Sequence, residues 1–378
     1  MKKKIMTIFG TRPEAIKMAP LVKAIENDEQ LEVCVVVTAQ HREMLDTVLK
    51  TFDIVPDYDL NIMKEGQTLS EITSKSMIEL ESIIKHVKPN MVLVHGDTAT
   101  TFSGSLAAFY NQVPIGHVEA GLRSYDKYSP YPEEMNRQMV GVLTDIHFAP
   151  TFNARKHLLD EGKDINSVVV TGNTAIDALN YTVNDDYHSD ILNRHKNKRI
   201  LLLTAHRREN IGEPMEHIFK AVRKLVDEDE SLVVVYPVHM NPKVRDIAQH
   251  ILGKHDRIEL IEPLDVLDFH NFAKQAHLIL TDSGGIQEEA PSLHKPVLVL
   301  RDNTERPEGV EAGTLKVVGT SMNNVYKETK KLLEDKNLYK SMSEANNPYG
   351  DGSASDRIVN HIKYYFDLIS EKPKDFKQ

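Results

Sequence analysis

The chain has 378 residues, 40 % hydrophobic and 27 % charged, with Lys+Arg 46 against Asp+Glu 56 and a formal net charge of −10. Domains commonly run about 100–200 residues, so the length suits two domains with sizeable cores. The acidic balance argues against a general binder of nucleic acid or anionic membrane, although a few arginines converging on a helix N-terminus still hold an anion.

The single cysteine, Cys34, lies in the apolar run 33–37. It forms no internal disulfide, which fits a reducing cytoplasm, and it reads as a small buried hydrophobe. Met1-Lys2-Lys3-Lys4 looks like the start of a secretory leader, but the apolar run behind it stops at Gly10, short of the roughly 7–15 residues such a leader needs. No run approaches the ~18 apolar residues of a membrane span.

Short Val/Ile/Leu runs alternate with longer helical patterns, the signature of βαβ units and parallel sheets buried on both faces. In chain order the pattern predicts strand 5–9, helix 15–27, strand 32–38, helices 42–52 and 69–87, strand 91–94, helix 101–110, strand 114–118, helix 133–143, strand 146–149, helix 153–161 and strand 168–170. The polar stretch 182–198 reads as the connection to a second domain. There follow strand 200–204, helix 214–226, strand 232–237, helix 242–252, strand 258–261, helix 264–276, strand 278–281, helix 286–292, strands 296–300 and 316–318, and helix 324–333. A last amphipathic helix over 356–369 puts Ile358, Ile362, Tyr365, Phe366 and Ile369 on one side, and the polar tail 370–378 is expected to fray.

Six of these strands run into polar clusters: Gly10-Thr11-Arg12-Pro13-Glu14, His95-Gly96-Asp97-Thr98, Glu119-Ala120-Gly121-Leu122-Arg123, Thr204-Ala205-His206-Arg207-Arg208, Pro237-Val238-His239 and Thr281-Asp282-Ser283-Gly284-Gly285. In an open parallel sheet all strand C-termini face one edge, and ligands bind there.

Asp282-Ser283-Gly284-Gly285 ends a strand and opens a helix. Glycines admit a close ligand, and a helix start offers free N–H groups and positive dipole to an anion. With Glu288, Glu289, Arg301 and Arg306 nearby in sequence, this favours a phosphate or diphosphate site. The plainer reading is a tight turn with a Ser or Asp cap. At the first junction Pro13 suits a first helical turn, and Arg12 and Lys17 could hold an oxyanion; plain surface charge is the rival. Asp97, Glu119 and Glu133 or Glu134 would gather acids on one edge, as acid–base chemistry needs, against capping for Asp97 and first-turn helix charge for the Glu pair. Of the 17 histidines, His206 stands out between a strand end and two arginines, followed by His239 and, more weakly, His95 and His117. No G-x-G-x-x-G follows a strand, and there is no Walker A loop, G-x-S-x-G elbow, H-E-x-x-H or paired-Cys spacing, so neither a dinucleotide cofactor nor a metal is expected.

The runs Phe9-Gly10-Thr11-Arg12-Pro13-Glu14-Ala15-Ile16-Lys17, His95-Gly96-Asp97-Thr98, His117-Val118-Glu119-Ala120-Gly121-Leu122-Arg123, Pro132-Glu133-Glu134-Met135-Asn136-Arg137, His206-Arg207-Arg208-Glu209-Asn210, and residues 281–291 through Glu305-Arg306-Pro307-Glu308 resemble the non-hydrolysing bacterial UDP-N-acetylglucosamine 2-epimerases. The resemblance runs nearly end to end, to about Asp351. It implies an α/β fold of two doubly wound Rossmann-like domains facing across a cleft, as in GT-B glycosyltransferases. These would be residues 1–170, with a C-terminal helix 356–370 crossing back, and a UDP-binding domain 171–355.

It also implies reversible conversion of UDP-GlcNAc to UDP-ManNAc with no cofactor and no metal, in a cytoplasmic homodimer serving cell-wall polysaccharide synthesis. Family substrate contacts fall on Arg12, Lys17, Asp97, Glu119, His206, Phe269, Ser283, Gly284, Gly285, Glu289 and Arg306. Catalytic roles fall on Asp97, Glu119, Glu133 and His206. An activating second UDP-GlcNAc would use Gln40, Glu133, Arg207 and His239, although Glu43 stands where relatives often have Gln and Gly66 where some have Arg. A glycosyltransferase of the same fold is the chief rival; its acceptor site would be apolar or basic, which the acids oppose.

Overall fold

The structure, a computed structural model, describes residues 2–39, 42–64 and 66–377, with the side chains of Arg42 and Glu43 left aside. Two compact units form. One runs to Tyr181 and takes up Gly350–Lys377; the other is Thr182–Tyr349.

The first unit carries β1 (Lys3–Phe9), β2 (Leu31–Val37), β3 (Tyr58–Asp59), β4 (Met91–His95), β5 (Ile115–Val118), β6 (Ile146–Ala149) and β7 (Val168–Val170), in the order β3-β2-β1-β4-β5-β6-β7. The second carries β8 (Arg199–Thr204), β9 (Leu232–Pro237), β10 (Ile258–Ile261), β11 (Leu278–Thr281), β12 (Val297–Val299) and β13 (Leu315–Val317), in the order β10-β9-β8-β11-β12-β13. Every strand pairing is parallel. The central strands are buried along nearly their whole length, because helices cover both faces of a parallel sheet and leave no polar side to alternate with. Strand order reverses between β1 and β4 in one sheet and between β8 and β11 in the other. Those are the two topological switch points, where the C-terminal edge opens to a ligand.

Helix Arg12–Glu26 starts earlier than the apolar pattern implies. Thr11 is its N-cap, and Glu14 completes a capping box with Thr11, so the helix begins at a T-x-x-E signature rather than at the first apolar residue. Gly10 is demanded by packing: a β-carbon there would lie 1.9 Å from Thr38 Oγ1. Cys34 is buried as expected, and burial pushes its thiol up to about 11.

The first unit runs past residue 170 to Tyr181 because helix Thr174–Thr182, not foreseen in the sequence, stays with it in all but its last residue. Its Asp177 carboxylate accepts hydrogen bonds from the backbone N–H groups of Ala354 (3.1 Å) and Ser355 (2.6 Å), tying that helix to the start of the C-terminal one. The latter spans Ala354–Tyr365 and packs on helix Arg12–Glu26; it ends short of 370 because Asp367 takes a left-handed turn at φ +55°. The tail is not frayed. Phe376 is buried, its N–H bonds Val170 O at the edge of β7 (2.7 Å), and Asp375 pairs with Arg155 at 2.8 Å. A backbone donor laid on an edge strand also blunts that edge against other chains. Among the described residues no helix is long and apolar enough to cross a membrane.

Candidate active site

At the β1/β4 switch point a buried carboxylate organises the edge. Glu14 Oε2 accepts the N–H groups of Gly10 (3.0 Å) and Thr11 (2.8 Å), and its Oε1 accepts the hydroxyls of Thr98 (2.7 Å) and Thr101 (3.2 Å). One side chain thus joins the loops that follow β1 and β4. Burial raises the Glu14 carboxyl above its usual range against the pull of these hydrogen bonds. Arg12 is the first helical residue after this turn and is half-buried.

Asp97, just beyond β4, is held by Arg137: Nε donates to Oδ2 at 2.9 Å and Nη2 lies 2.7 Å from the same oxygen. Asn136 Nδ2 donates to Asp97 O at 2.8 Å. Asp97 is therefore a positioned, partly exposed carboxylate whose side chain answers to Arg137.

Glu119 follows β5 at φ +62°, a left-handed backbone that costs a side chain roughly 1–2 kcal/mol. Its Oε2 accepts from Lys17 Nζ and from Asn173 Nδ2 (2.8 Å), and His95 Nε2 lies 3.9 Å away. So the structure joins Lys17 to Glu119, a pairing that sequence spacing does not reveal.

The open choice between Glu133 and Glu134 divides by burial. Glu134 is fully buried and accepts from Ser124 N (2.9 Å), Tyr125 N (3.2 Å), Gln138 Nε2 (2.9 Å) and Arg137 Nη1 (3.3 Å). Burial alone would raise its carboxyl, but these donors outweigh burial and hold it below the usual range. Glu134 holds loop 124–125, whereas Glu133 is the half-buried first residue of helix Glu133–Leu143. His95 and His117 are buried and neutral, pushed down to about 3 and about 4 by desolvation. His117 Nε2 donates to Gly96 O at 2.7 Å, so neither ring serves as a charged anion holder.

In the second unit the β8/β11 switch point is organised the same way. Asp282, fully buried, accepts at Oδ2 from His206 N (2.9 Å), Arg207 N (2.9 Å) and Asn210 Nδ2 (3.0 Å). The cap reading of Ser283 does not hold: its side chain makes no capping bond to helix Gly284–Glu289, and the Asp282 carboxylate turns back to loop 206–210. A β-carbon on Gly284 would sit 3.8 Å from both Arg207 Nη2 and Arg306 Nη2. Two guanidiniums therefore converge on a helix start that already favours an anion. Arg306 is braced by buried Glu288 through Nε, and Arg301 by Glu209 at 2.7 Å.

Gly285 is followed one turn on by Glu289, whose Oε2 lies 3.4 Å from His270 Nε2. His270 in turn meets Thr182 Oγ1 at 2.7 Å and the half-buried Phe269 ring edge-on, with centroids 6.4 Å apart. His206 stacks on exposed His239, with rings 5.4 Å apart and 10° from parallel. Burial lowers the His206 imidazole, opposed by Asp282 and aided by His239 and Arg207.

Of the residues named for a second ligand, Arg207 and His239 border this edge, Glu133 belongs to the first unit, and Gln40 lies outside the described residues. Glu14, Arg137, Asp282 and Glu288 stand in the motifs quoted above, but the sequence reading gave none of them the bracing role seen here. Only Glu14 had a local signal, its place three residues after the N-cap. Among the described residues no group of three or more His, Cys, Asp or Glu could hold a metal ion.

The chain matches the family model for UDP-N-acetylglucosamine 2-epimerase over residues 23–363. A UDP-N-acetylglucosamine 2-epimerase of Bacillus subtilis is 61 % identical over 377 residues, covering 100 % of this chain and 99 % of that one. An S. aureus MnaA–UDP co-structure is 73 % identical with a TM-score of 0.90, covering 99 % of this chain and 100 % of that one. The UDP-GlcNAc 2-epimerase from Neisseria meningitidis bound to UDP-GlcNAc is 47 % identical with a TM-score of 0.86, covering 96 % of this chain and 100 % of that one. The expected α/β class of paired doubly wound units, GT-B-like, holds accordingly. On sequence and fold along almost its entire length, the chain belongs to the UDP-N-acetylglucosamine 2-epimerase family of isomerases.

Proposed function

We propose that this enzyme interconverts UDP-GlcNAc and UDP-ManNAc by eliminating UDP and adding it back. The observation that carries the reading is the division of labour between the two switch points. Positioned carboxylates, Asp97 and Glu119, stand at one, and two guanidiniums converging on Gly284 stand at the other.

The C2 proton of a 2-acetamido sugar is too weakly acidic to leave first. If the C1–O bond breaks, its electron pair departs on the β-phosphate oxygen and C1 gains oxocarbenium character. The C2 proton then passes to a carboxylate, leaving 2-acetamidoglucal and UDP. In the return step the phosphate oxygen attacks C1 while an acid on the opposite face protonates C2, giving the epimer. Such a reaction needs two acid–base groups and a firm hold on the diphosphate. Asp97, Glu119 and Glu133 supply the first. Arg12, His206, Arg306 and the Ser283-Gly284-Gly285 helix start supply the second, with Lys17 orienting Glu119, and Glu289 and Phe269 contacting the nucleoside end.

In deuterated water, UDP-GlcNAc alone is expected to give UDP-ManNAc carrying deuterium at C2, read by proton NMR. Product without solvent deuterium removes the elimination route. Transfer of the GlcNAc group to an acceptor with release of UDP, and with no epimer formed, removes the reading altogether.

We infer further that a second UDP-GlcNAc acts as activator through Gln40, Glu133, Arg207 and His239, in a homodimer. Arg207 beside Arg306 at Gly284 and His239 stacked on His206 support an adjoining anion site. Gly66 removes a bidentate phosphate donor that some relatives carry, so this site is expected to be weak, with Lys64 a partial substitute. UDP-ManNAc alone should react slowly after a lag, and a trace of UDP-GlcNAc should start it. Brisk conversion of pure UDP-ManNAc shows that no activator is required.

A further inference from the structure

We propose that Asp282 is a positioning residue for the reaction: its buried carboxylate fixes the His206 imidazole with the Nδ1 proton toward Asp282 and Nε2 turned to the departing diphosphate. The proposal rests on the reading of His206 as a diphosphate contact.

Asp282 is placed by the sheet. It follows β11, and its N–H bonds Thr204 O at the end of β8 (3.1 Å), in line with the Thr204–Thr281 register pair. Its two oxygens do different things. Oδ2 takes the three donors already described, from His206 N, Arg207 N and Asn210 Nδ2. Oδ1 is equally buried but has no hydrogen bond within normal range among the described residues. The ring atom His206 Nδ1 lies 3.5 Å from it. A buried carboxylate oxygen left without a donor is costly, and a small rotation of the imidazole brings Nδ1–H into range. That rotation sets the tautomer, since a carboxylate accepts and does not donate.

Holding the loop through Oδ2 accounts for part of this geometry and leaves the direction of Oδ1 unexplained. A carboxylate used only as a loop anchor has no need to aim its other oxygen at the one titratable ring of that loop. The groups facing His206 are Arg207 on its own loop, Asp282 after β11 and His239 after β9. Arg207 and a charged His239 oppose an imidazolium, and burial opposes it too. Asp282 is the group among the three that favours it. With Nδ1–H given to Asp282, Nε2 is the free position: the diphosphate's charge favours a second proton there, and the resulting imidazolium donates Nε2–H to the oxygen on which charge develops as C1–O breaks. Without Asp282 the ring loses both the acceptor that sets its tautomer and the charge that favours its protonation.

The test is Asp282→Asn in the full chain. The amide oxygen can still accept from His206 N, Arg207 N and Asn210 Nδ2, while the NH₂ group faces Nδ1 and donates to it, reversing the tautomer. The expected results are a fall in kcat/KM on the order of 10²-fold or more, and an alkaline limb of the pH profile displaced to lower pH. The sign follows from charge: removing the carboxylate lowers the His206 pKa, so the protonated, donating form is lost earlier as pH rises. A merely structural Asp282 would leave the limb where it is and move only stability.

Imidazole nitrogen-15 NMR on the unmodified protein, with and without UDP, reads the tautomer directly and decides the matter even if the variant folds poorly. Protonated Nδ1 supports the proposal and protonated Nε2 with bare Nδ1 overturns it. His206→Gln separates the two readings. If that variant keeps normal kcat/KM, the diphosphate role of His206 fails and takes the catalytic consequence of Asp282 with it, whereas the NMR result still judges the Asp282–His206 bond.

Discussion

Asp97→Asn, Glu119→Gln and Glu133→Gln are each expected to keep the fold and lose turnover by on the order of 10²–10⁴-fold, the contribution of a positioned acid or base. The surroundings make the neutral replacements informative. At Asp97 the amide can still accept from Arg137, so the ion pair becomes an ordinary hydrogen bond while the charge is lost. At Glu119 the cost is less clean. The Lys17 ammonium and Asn173 amide both donate to the same oxygen, and a Gln that turns its NH₂ toward them would push Lys17 away. The backbone at φ +62° leaves that side chain little room to re-aim. Glu119→Gln should therefore lose the most and also weaken substrate binding through Lys17.

Glu134→Gln is the contrasting variant. Two of its four donors are the N–H groups of loop 124–125 and two are Arg137 and Gln138 of its own helix, so it should lower thermal stability more than the chemical step. Conversion of UDP-GlcNAc to UDP-ManNAc, C2–H exchange with solvent and circular dichroism together make the comparison. If two of the three acid variants keep near-normal rates, the trio is structural.

The sheets were legible because each buried strand is a run of branched apolar residues ending at a polar cluster. Met91–His95 into Gly96 and Leu278–Thr281 into Asp282 are cases in point. What escaped was either too short or polar. Tyr58–Asp59 is a two-residue edge strand, below any periodicity. Helix Thr174–Thr182 has its apolar residues folded among Thr and Asn, and its Asp177 is buried because the C-terminal segment returns to it, a contact across some 180 positions. Phe376 looked like part of a polar tail for the same reason: one aromatic residue finds its pocket only when β7 and the returning chain have formed.

The site divides likewise. Several residues proposed to touch ligand, such as Asp97, Glu119 and His206, follow strand ends and could be named, whereas Phe269 in helix Val266–Gln275 came from the family resemblance alone. Residues that hold them, such as Arg137 for Asp97, Asp282 for His206 and Glu288 for Arg306, are chosen by the order of strands in the sheet. Their pairings have no signature in local sequence.

Arg306→Ala is expected to have the second large effect, on two observables at once. Its guanidinium is one of two that converge on Gly284, so UDP affinity should fall on the order of 100-fold, about 2.8 kcal/mol, in calorimetry. The same substitution leaves the Glu288 carboxylate, 3 % exposed, without its guanidinium, and removing one partner of a buried pair typically costs roughly 3–5 kcal/mol. The two losses can be told apart. Adding Glu288→Gln to Arg306→Ala takes away the buried charge, so stability should return in large part, while UDP affinity stays low because the diphosphate still lacks its donor. Arg306→Lys should behave in the opposite sense, keeping a charge for Glu288 and much of the stability but presenting a point ammonium in place of a fork, with UDP affinity only partly kept. If the double variant recovers UDP affinity along with stability, Arg306 acts on the nucleotide only by propping the loop. If Arg306→Ala binds UDP normally, the anion site is not at Gly284.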